Sequence, residues 1–129
     1  MDKDNQKFFV CEHCGNMVGM IESSGVPLVC CGSPMKELVA NTTDASVEKH
    51  CPEVKVNGNV VEVVIGSVEH PMTDAHHIAW VYLKTDKGGH RKAFAHTEKP
   101  EVKFALIDEK PLEVYAYCNL HGLWKTEVK

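Results

Sequence analysis

The sequence predicts a mainly β protein, made of a small metal-stapled unit followed by an antiparallel β-sandwich. Three observations carry this. Four of the six cysteines fall in a short N-terminal stretch, as Cys11-x-x-Cys14 and Cys30-Cys31. β-Branched runs separated by turn residues fill most of the chain after residue 52. Helical periodicity is nearly absent, apart from residues 45–49 behind Thr42-Thr43-Asp44, which are good cap residues.

Residues 1–38 are read as the first unit. So short a segment encloses little core whatever its apolar content, and it needs a metal to hold it. Residues 39–129 are read as the sandwich. There Glu53–Val56 and Val60–Ile65 flank Asn57-Gly58, the pattern of a hairpin with a type I′ turn. Further strands are expected at 78–84, 92–95, 102–107 and 112–117. Turns are expected at Asp86-Lys87-Gly88-Gly89 and Asp108-Glu109-Lys110-Pro111. The 78–84 run is apolar on both parities, which suits an inner strand covered on both faces.

Composition narrows the partners. Of the 129 residues 43% are apolar and 25% charged, with a formal net charge of −4, so this is a soluble globular composition without a basic run for phosphates. Nucleic acid is therefore not an expected partner. The N-terminus, Met1-Asp2-Lys3-Asp4-Asn5-Gln6-Lys7, is charged and is not followed by the apolar core of a signal peptide. No stretch reaches the ~20 apolar residues of a membrane span. A cytoplasmic protein is expected, and there clustered cysteines are metal ligands or redox groups more often than disulfides.

Cys11 and Cys14 place two sulfurs on one tight turn, and Cys30 with Cys31 can close a tetrahedron. Four thiolates suit zinc or a single iron. Neighbours in a strand point to opposite faces, so the adjacent pair needs a bent backbone, which Gly32 helps supply. His13, within the turn, is expected to be exposed and not a ligand.

A second constellation is nitrogen-rich. Cys118 and His121 can share a metal only if the chain turns between them, and Asn119 and Gly122 are suitable turn residues. His50, His70 and His76 add imidazoles at loops and strand ends. His77 competes with His76, and alternation alone does not choose between them. Four imidazoles and one thiolate exceed the four ligands of structural zinc. This leaves iron with an open position, or a copper site with Met72 or Met35 as axial ligand. A thiolate opposite an open position pushes electron density toward whatever binds there. Glu48 and Lys49 directly precede His50. A lysine about 5 Å from an anion contributes on the order of 3 kcal/mol at an effective dielectric of 20, less when exposed.

These residues resemble a known family. Cys11-x-x-Cys14, Cys30-Cys31, Glu48-Lys49-His50-x-Pro52, His70-Pro71-Met72-x-x-x-His76-x-Ile78-x-Trp80 and Cys118-Asn119-x-His121-Gly122-x-Trp124 are similar to the motifs of desulfoferrodoxin, the two-iron superoxide reductase. The resemblance covers nearly the whole chain. It implies a desulforedoxin-like N-terminal domain with iron on four cysteines, and an immunoglobulin-like sandwich with iron on four histidines and one cysteine. His50, His70, His76 and His121 would be the equatorial ligands and Cys118 the axial one, which selects His76 over His77. Lys49 would attract superoxide and orient a proton-donating water, and Glu48 would approach the iron after oxidation. The implied reaction is one-electron reduction of superoxide to hydrogen peroxide without dioxygen release. The implied partners are a rubredoxin-like electron donor and a second copy of the chain. Cys51 stands where valine is usual and is read as a small buried hydrophobe, with an oxidisable thiol beside the active site as the alternative; His90 and His96 are read as surface or strand residues.

Two other classes compete: an electron-transfer metalloprotein without superoxide chemistry, and a structural zinc protein. Absorption separates them. Ferric-thiolate bands from two centres mark the first reading, an intense blue band a copper carrier, and a colourless protein zinc.

Overall fold

The computed structural model describes residues 6–43 and 45–129. The chain divides into two compact units, Met1–Val39 and Ala40–Lys129. In the first, β1 (Lys7–Val10), β2 (Met17–Met20) and β5 (Lys36–Leu38) form an antiparallel sheet with β1 central. A two-residue pair, β3 (Val29–Cys30) and β4 (Ser33–Pro34), makes a second ribbon. Only Phe8 and Cys11 are buried among its described apolar residues, which is the thin core expected of so short a unit.

Among its described residues the second unit holds seven strands. A three-stranded sheet, ordered β10-β7-β6, comprises β6 (Pro52–Asn57), β7 (Val60–Ile65) and β10 (Glu101–Ala105). A four-stranded sheet, ordered β12-β11-β8-β9, comprises β8 (Ile78–Thr85), β9 (Gly88–Ala93), β11 (Pro111–Cys118) and β12 (Gly122–Glu127). All pairings are antiparallel. Alternating residues of both sheets meet in one core: Val61, Val63 and Ile65 from β7, Val81 and Leu83 from β8, and Val114 and Ala116 from β11. The result is the expected antiparallel sandwich of immunoglobulin type.

Several expectations are corrected in detail. The first hairpin exists, but Asn57 pairs with Val60, so Gly58 and Asn59 are the loop residues. Gly58 has φ 60° and Asn59 is not left-handed, which is the pattern of a II′ turn and not I′. The next hairpin turns on Asp86 and Lys87 alone, so its second strand starts at Gly88 instead of residue 92. Gly89 belongs in the sheet because the Tyr82 ring overlies it, and a Cβ there would collide with the phenol. β12 is a further strand, which no clean apolar alternation marks in the sequence. β8 buries Val81, Leu83 and Thr85 inward, while Trp80 and Tyr82 on its other face are half-buried. They are covered by Tyr117, stacked on Trp80 at 5.8 Å, and by Tyr115 at 6.3 Å from Tyr82.

The short helix α1 spans Val47–His50, later than residues 45–49. Its N-cap is Ser46, which makes no side-chain cap bond, and of the expected cap residues Asp44 lies outside the described residues. Cys51 is extended (φ −69°, ψ 130°), as the residue before a proline must be, and this ends the helix after one turn. No described helix is long and apolar enough to cross a membrane.

Candidate metal centres

The first cluster grows from two tight turns. At the first, the Cys11 N–H bonds the Asn16 carbonyl (2.8 Å) and the Gly15 N–H bonds the Cys11 carbonyl (2.9 Å), with Gly15 at φ 83°. Backbone amides then face sulfur. Cys14 N–H lies 3.5 Å from Cys11 Sγ, and Asn16 N–H lies 3.5 Å from Cys14 Sγ. At the second turn both Cys31 (φ 53°) and Gly32 (φ 73°) are left-handed. The bend required to bring adjacent sulfurs to one point therefore starts at Cys31 itself. Cys14 Sγ and Cys30 Sγ stand 3.6 Å apart, and all four sulfurs lie within 4.8 Å of one another. The Cys14 backbone N–H brings Cys11 down to about 6, while the neighbouring sulfurs, Cys14 foremost, raise Cys30 and push Cys31 up to about 12. Together these four can be anionic only around a cation. His13 is exposed, as expected.

The second cluster draws on four chain segments. α1 supplies His50, 2% exposed, whose Nδ1 donates to the Ser46 carbonyl at 2.6 Å. That bond fixes the tautomer and leaves Nε2 unprotonated, its lone pair turned toward His121 Nδ1. His70, 1% exposed, repeats the device: Nδ1 donates to the Pro71 carbonyl at 2.7 Å. Its buried Nε2 has no hydrogen-bond partner, nor does His76 Nε2. His76 is presented by a turn that Thr73 closes, through Thr73 N–H to His76 O (2.9 Å) and His76 N–H to Thr73 Oγ1 (3.1 Å). Cys118 ends β11 and Gly122 begins β12 as a paired position, so Asn119–His121 is a three-residue hairpin loop with Gly122 at φ 79°. The loop brings His121 Nδ1 to 3.8 Å from Cys118 Sγ and 3.0 Å from His50 Nε2.

His50, His76, Cys118 and His121 thus offer ligand atoms within 4.8 Å of one another. The His70 ring borders them edge-on, 4.7 Å from both the His50 and the His76 rings. Burial lowers the pKa values of His50 and His76 and brings His70 down to about 4, so these rings are neutral at pH 7, the state a metal requires. Convergent neutral imidazoles with orphaned Nε2 atoms, beside a buried sulfur, fit a metal ion and nothing else evident in the donor set.

His77 turns away. Its Nδ1 bonds the Thr73 carbonyl at 3.0 Å and its ring nears His96. Cys51 is half-buried, more open than expected, with burial raising its thiol. His90 lies in β9, as a strand residue, and bonds Glu109 at 3.0 Å. Glu48 and Lys49 are exposed on α1. Glu48 is held below the usual carboxylate range, chiefly by its own backbone N–H, and the Lys49 charge is felt at both His50 and His76.

Two residues build the site beyond what the sequence suggests, where Asn119 is only a turn residue and Trp124 only a member of the family motif. Asn119 ties two ligand segments: its Oδ1 accepts His77 N–H (2.8 Å) and its Nδ2 donates to the Ala75 carbonyl (3.0 Å). Trp124 stacks on His50 and donates from Nε1 to the His121 carbonyl at 3.2 Å. An aromatic two residues past a turn glycine is the available signal for the second; the first leaves none beyond turn propensity.

Residues 42–127 match the desulfoferrodoxin family, and residues 3–38 match the desulfoferrodoxin N-terminal domain. The chain belongs to the desulfoferrodoxin family. It is 44% identical to a desulfoferrodoxin of Syntrophotalea carbinolica over 119 residues, 92% of this chain and 94% of that one. It is 40% identical to that of Nitratidesulfovibrio vulgaris over 121 residues, 94% and 95% of the two chains. A solved superoxide reductase from Treponema pallidum is similar with a TM-score of 0.81 and 42% identity, covering 95% of this chain and 99% of that one. The four-cysteine cluster and the histidine–cysteine cluster match the two iron sites of the desulfoferrodoxins.

Proposed function

We propose that this desulfoferrodoxin is a superoxide reductase whose chemistry lies at the histidine–cysteine centre. The observation that carries the reading is the convergence of neutral, backbone-oriented imidazoles and a buried cysteine immediately beside an exposed lysine on the same helical turn. His50, His70, His76 and His121 would surround the iron, with Cys118 as its sulfur ligand. His70 is included because its orphaned Nε2 is buried against the same rings. The chemistry that bound iron supplies is one electron: superoxide, one electron and two protons give hydrogen peroxide.

The chain's own residues do the rest. Carbonyls of Ser46 and Pro71 lock the tautomers of His50 and His70, so no ring reorients when the ion binds. Cys118 is shut away from water (0% exposed), so its sulfur would meet the iron unscreened by solvent and lend it electron density. Lys49 counters the protein's net charge of −4 locally and draws in a small anion. It also holds the water from which protons come. Glu48 is anionic and closes the exposed side between turnovers.

The four-cysteine centre is separate from this chemistry, and a small one-electron carrier such as rubredoxin restores the reduced state. Both statements, and assembly as a homodimer, rest on the family likeness. Pulse radiolysis of the reduced, iron-loaded protein tests the reading. Superoxide is expected to disappear in a fast second-order reaction that oxidises the protein. Loss of superoxide no faster than its own dismutation, with the protein still reduced, overturns the proposal and leaves the electron-carrier reading.

A further inference from the structure

Lys49 owes its placement to a turn distant in sequence. α1 is one turn long, and the helical donor for the Glu48 carbonyl would be the N–H of residue 52. That residue is Pro52, which has none. Two groups from the segment after β7 fill the gap. Val68 N–H donates to Glu48 O at 2.9 Å, and Ser67 Oγ donates to the same oxygen at 3.2 Å. Beside them Gly66 presses on the same backbone. A Cβ on Gly66 would stand 2.5 Å from Glu48 O, 2.9 Å from Lys49 C and 3.1 Å from Lys49 O. These are main-chain atoms, which cannot swing aside as a side-chain end would.

The contacts fall on both peptide groups that flank the Lys49 α-carbon. Glu48 O belongs to the plane before it, and Lys49 C and O to the plane after it. Holding both planes fixes the direction in which the Lys49 side chain leaves the backbone. A four-residue helix with no side-chain cap bond cannot do this alone.

We propose that Gly66, Ser67 and Val68 are positioning residues for Lys49, and that the absence of a side chain at Gly66 is required for the lysine to face the metal centre. This rests on the role given to Lys49 above. Substitution of Gly66 by alanine would displace the Glu48–Lys49 backbone by several tenths of an ångström.

The test is a double-mutant cycle on the iron-loaded protein with Gly66→Ala, Lys49→Ala and the pair. Gly66→Ala is expected to slow superoxide reduction by up to the roughly tenfold expected for Lys49→Ala, and to flatten its ionic-strength dependence. The pair should react no more slowly than Lys49→Ala alone, with iron content and visible spectrum unchanged. A merely structural role would lower the active fraction and leave the salt slope intact. Multiplicative effects, or an unchanged salt slope in Gly66→Ala, overturn the inference while Lys49 keeps its role. An inert Lys49→Ala overturns that role instead. Should Gly66→Ala shed its iron, amide exchange in the native protein decides. The Val68 N–H should be slowed at least about a hundredfold over a free peptide, although the residue is 47% exposed. Exchange at the free-peptide rate overturns the inference.

Discussion

Trp124 and His50 stack with ring centroids 5.0 Å apart and planes 22° from parallel. The same indole donates to the His121 carbonyl, so one buried side chain, 2% exposed, braces two proposed iron ligands from opposite ends of the sandwich unit's sequence. Trp124→Phe keeps a stacking face and loses the hydrogen bond. It is expected to weaken iron retention at the histidine–cysteine centre by about tenfold, the lower end for a lost outer partner of a metal ligand. Trp124→Ala also opens a cavity and should cost about 3–5 kcal/mol of stability. Chelator competition and urea unfolding read the two effects separately.

Lys49→Ala should slow superoxide reduction roughly tenfold and flatten its salt dependence, because the attraction lost is exposed and screened. Iron content should not change, since Lys49 holds no ligand. Stopped-flow traces from low to high ionic strength check this; equal rates and slopes for variant and parent contradict it.

Cys14→Ser removes a sulfur from a centre whose backbone turns exist to gather four. Metal at that centre should fall or change character, with loss of its ferric-thiolate absorption. Superoxide reduction should persist within about twofold, below the tenfold that 1.4 kcal/mol represents. Loss of activity in a variant that still carries its second iron would contradict the separation of roles.

Without metal, the protein should lose stability as the pH falls below about 6.5. Burial holds His70 at about 4 and lowers His50 and His76, so the folded chain leaves these rings neutral while the unfolded chain protonates them near 6.5. The His70 contribution is complete above 6.5 and is lost as the pH falls toward about 4, and His50 and His76 act in the same direction. Urea midpoints of metal-free protein at pH 7 and pH 5 test the sign, and equal or rising midpoints at pH 5 contradict it.

What the sequence reveals follows from how local each signal is. Cys11-x-x-Cys14 and the Cys118–His121 loop are short-range arrangements, and the Asn119 and Gly122 turn residues fall where the hairpin needs them. The choice of His76 over His77 was not legible from alternation. It depends on Thr73 closing a turn and on Asn119 holding the His77 backbone. The II′ turn at Gly58-Asn59 escaped because Asn-Gly favours I′ and only pairing of Asn57 with Val60 reveals the shift. β12 alternates poorly because it shares its inward face with the site, where Trp124 serves His50 instead of the apolar core. Gly66 carries no local mark at all. Its need for bareness is set by a backbone some seventeen positions earlier, at Glu48 and Lys49.

Diffraction from crystals of the reduced, iron-loaded protein, with anomalous signal at the iron edge, addresses the core of the account most directly. One iron is expected within bonding reach of Nε2 of His50, His70 and His76, Nδ1 of His121 and Sγ of Cys118, with the remaining side free of protein atoms. An iron that leaves out Cys118 or His70, or one whose sixth side is filled by the protein in the reduced state, would contradict it.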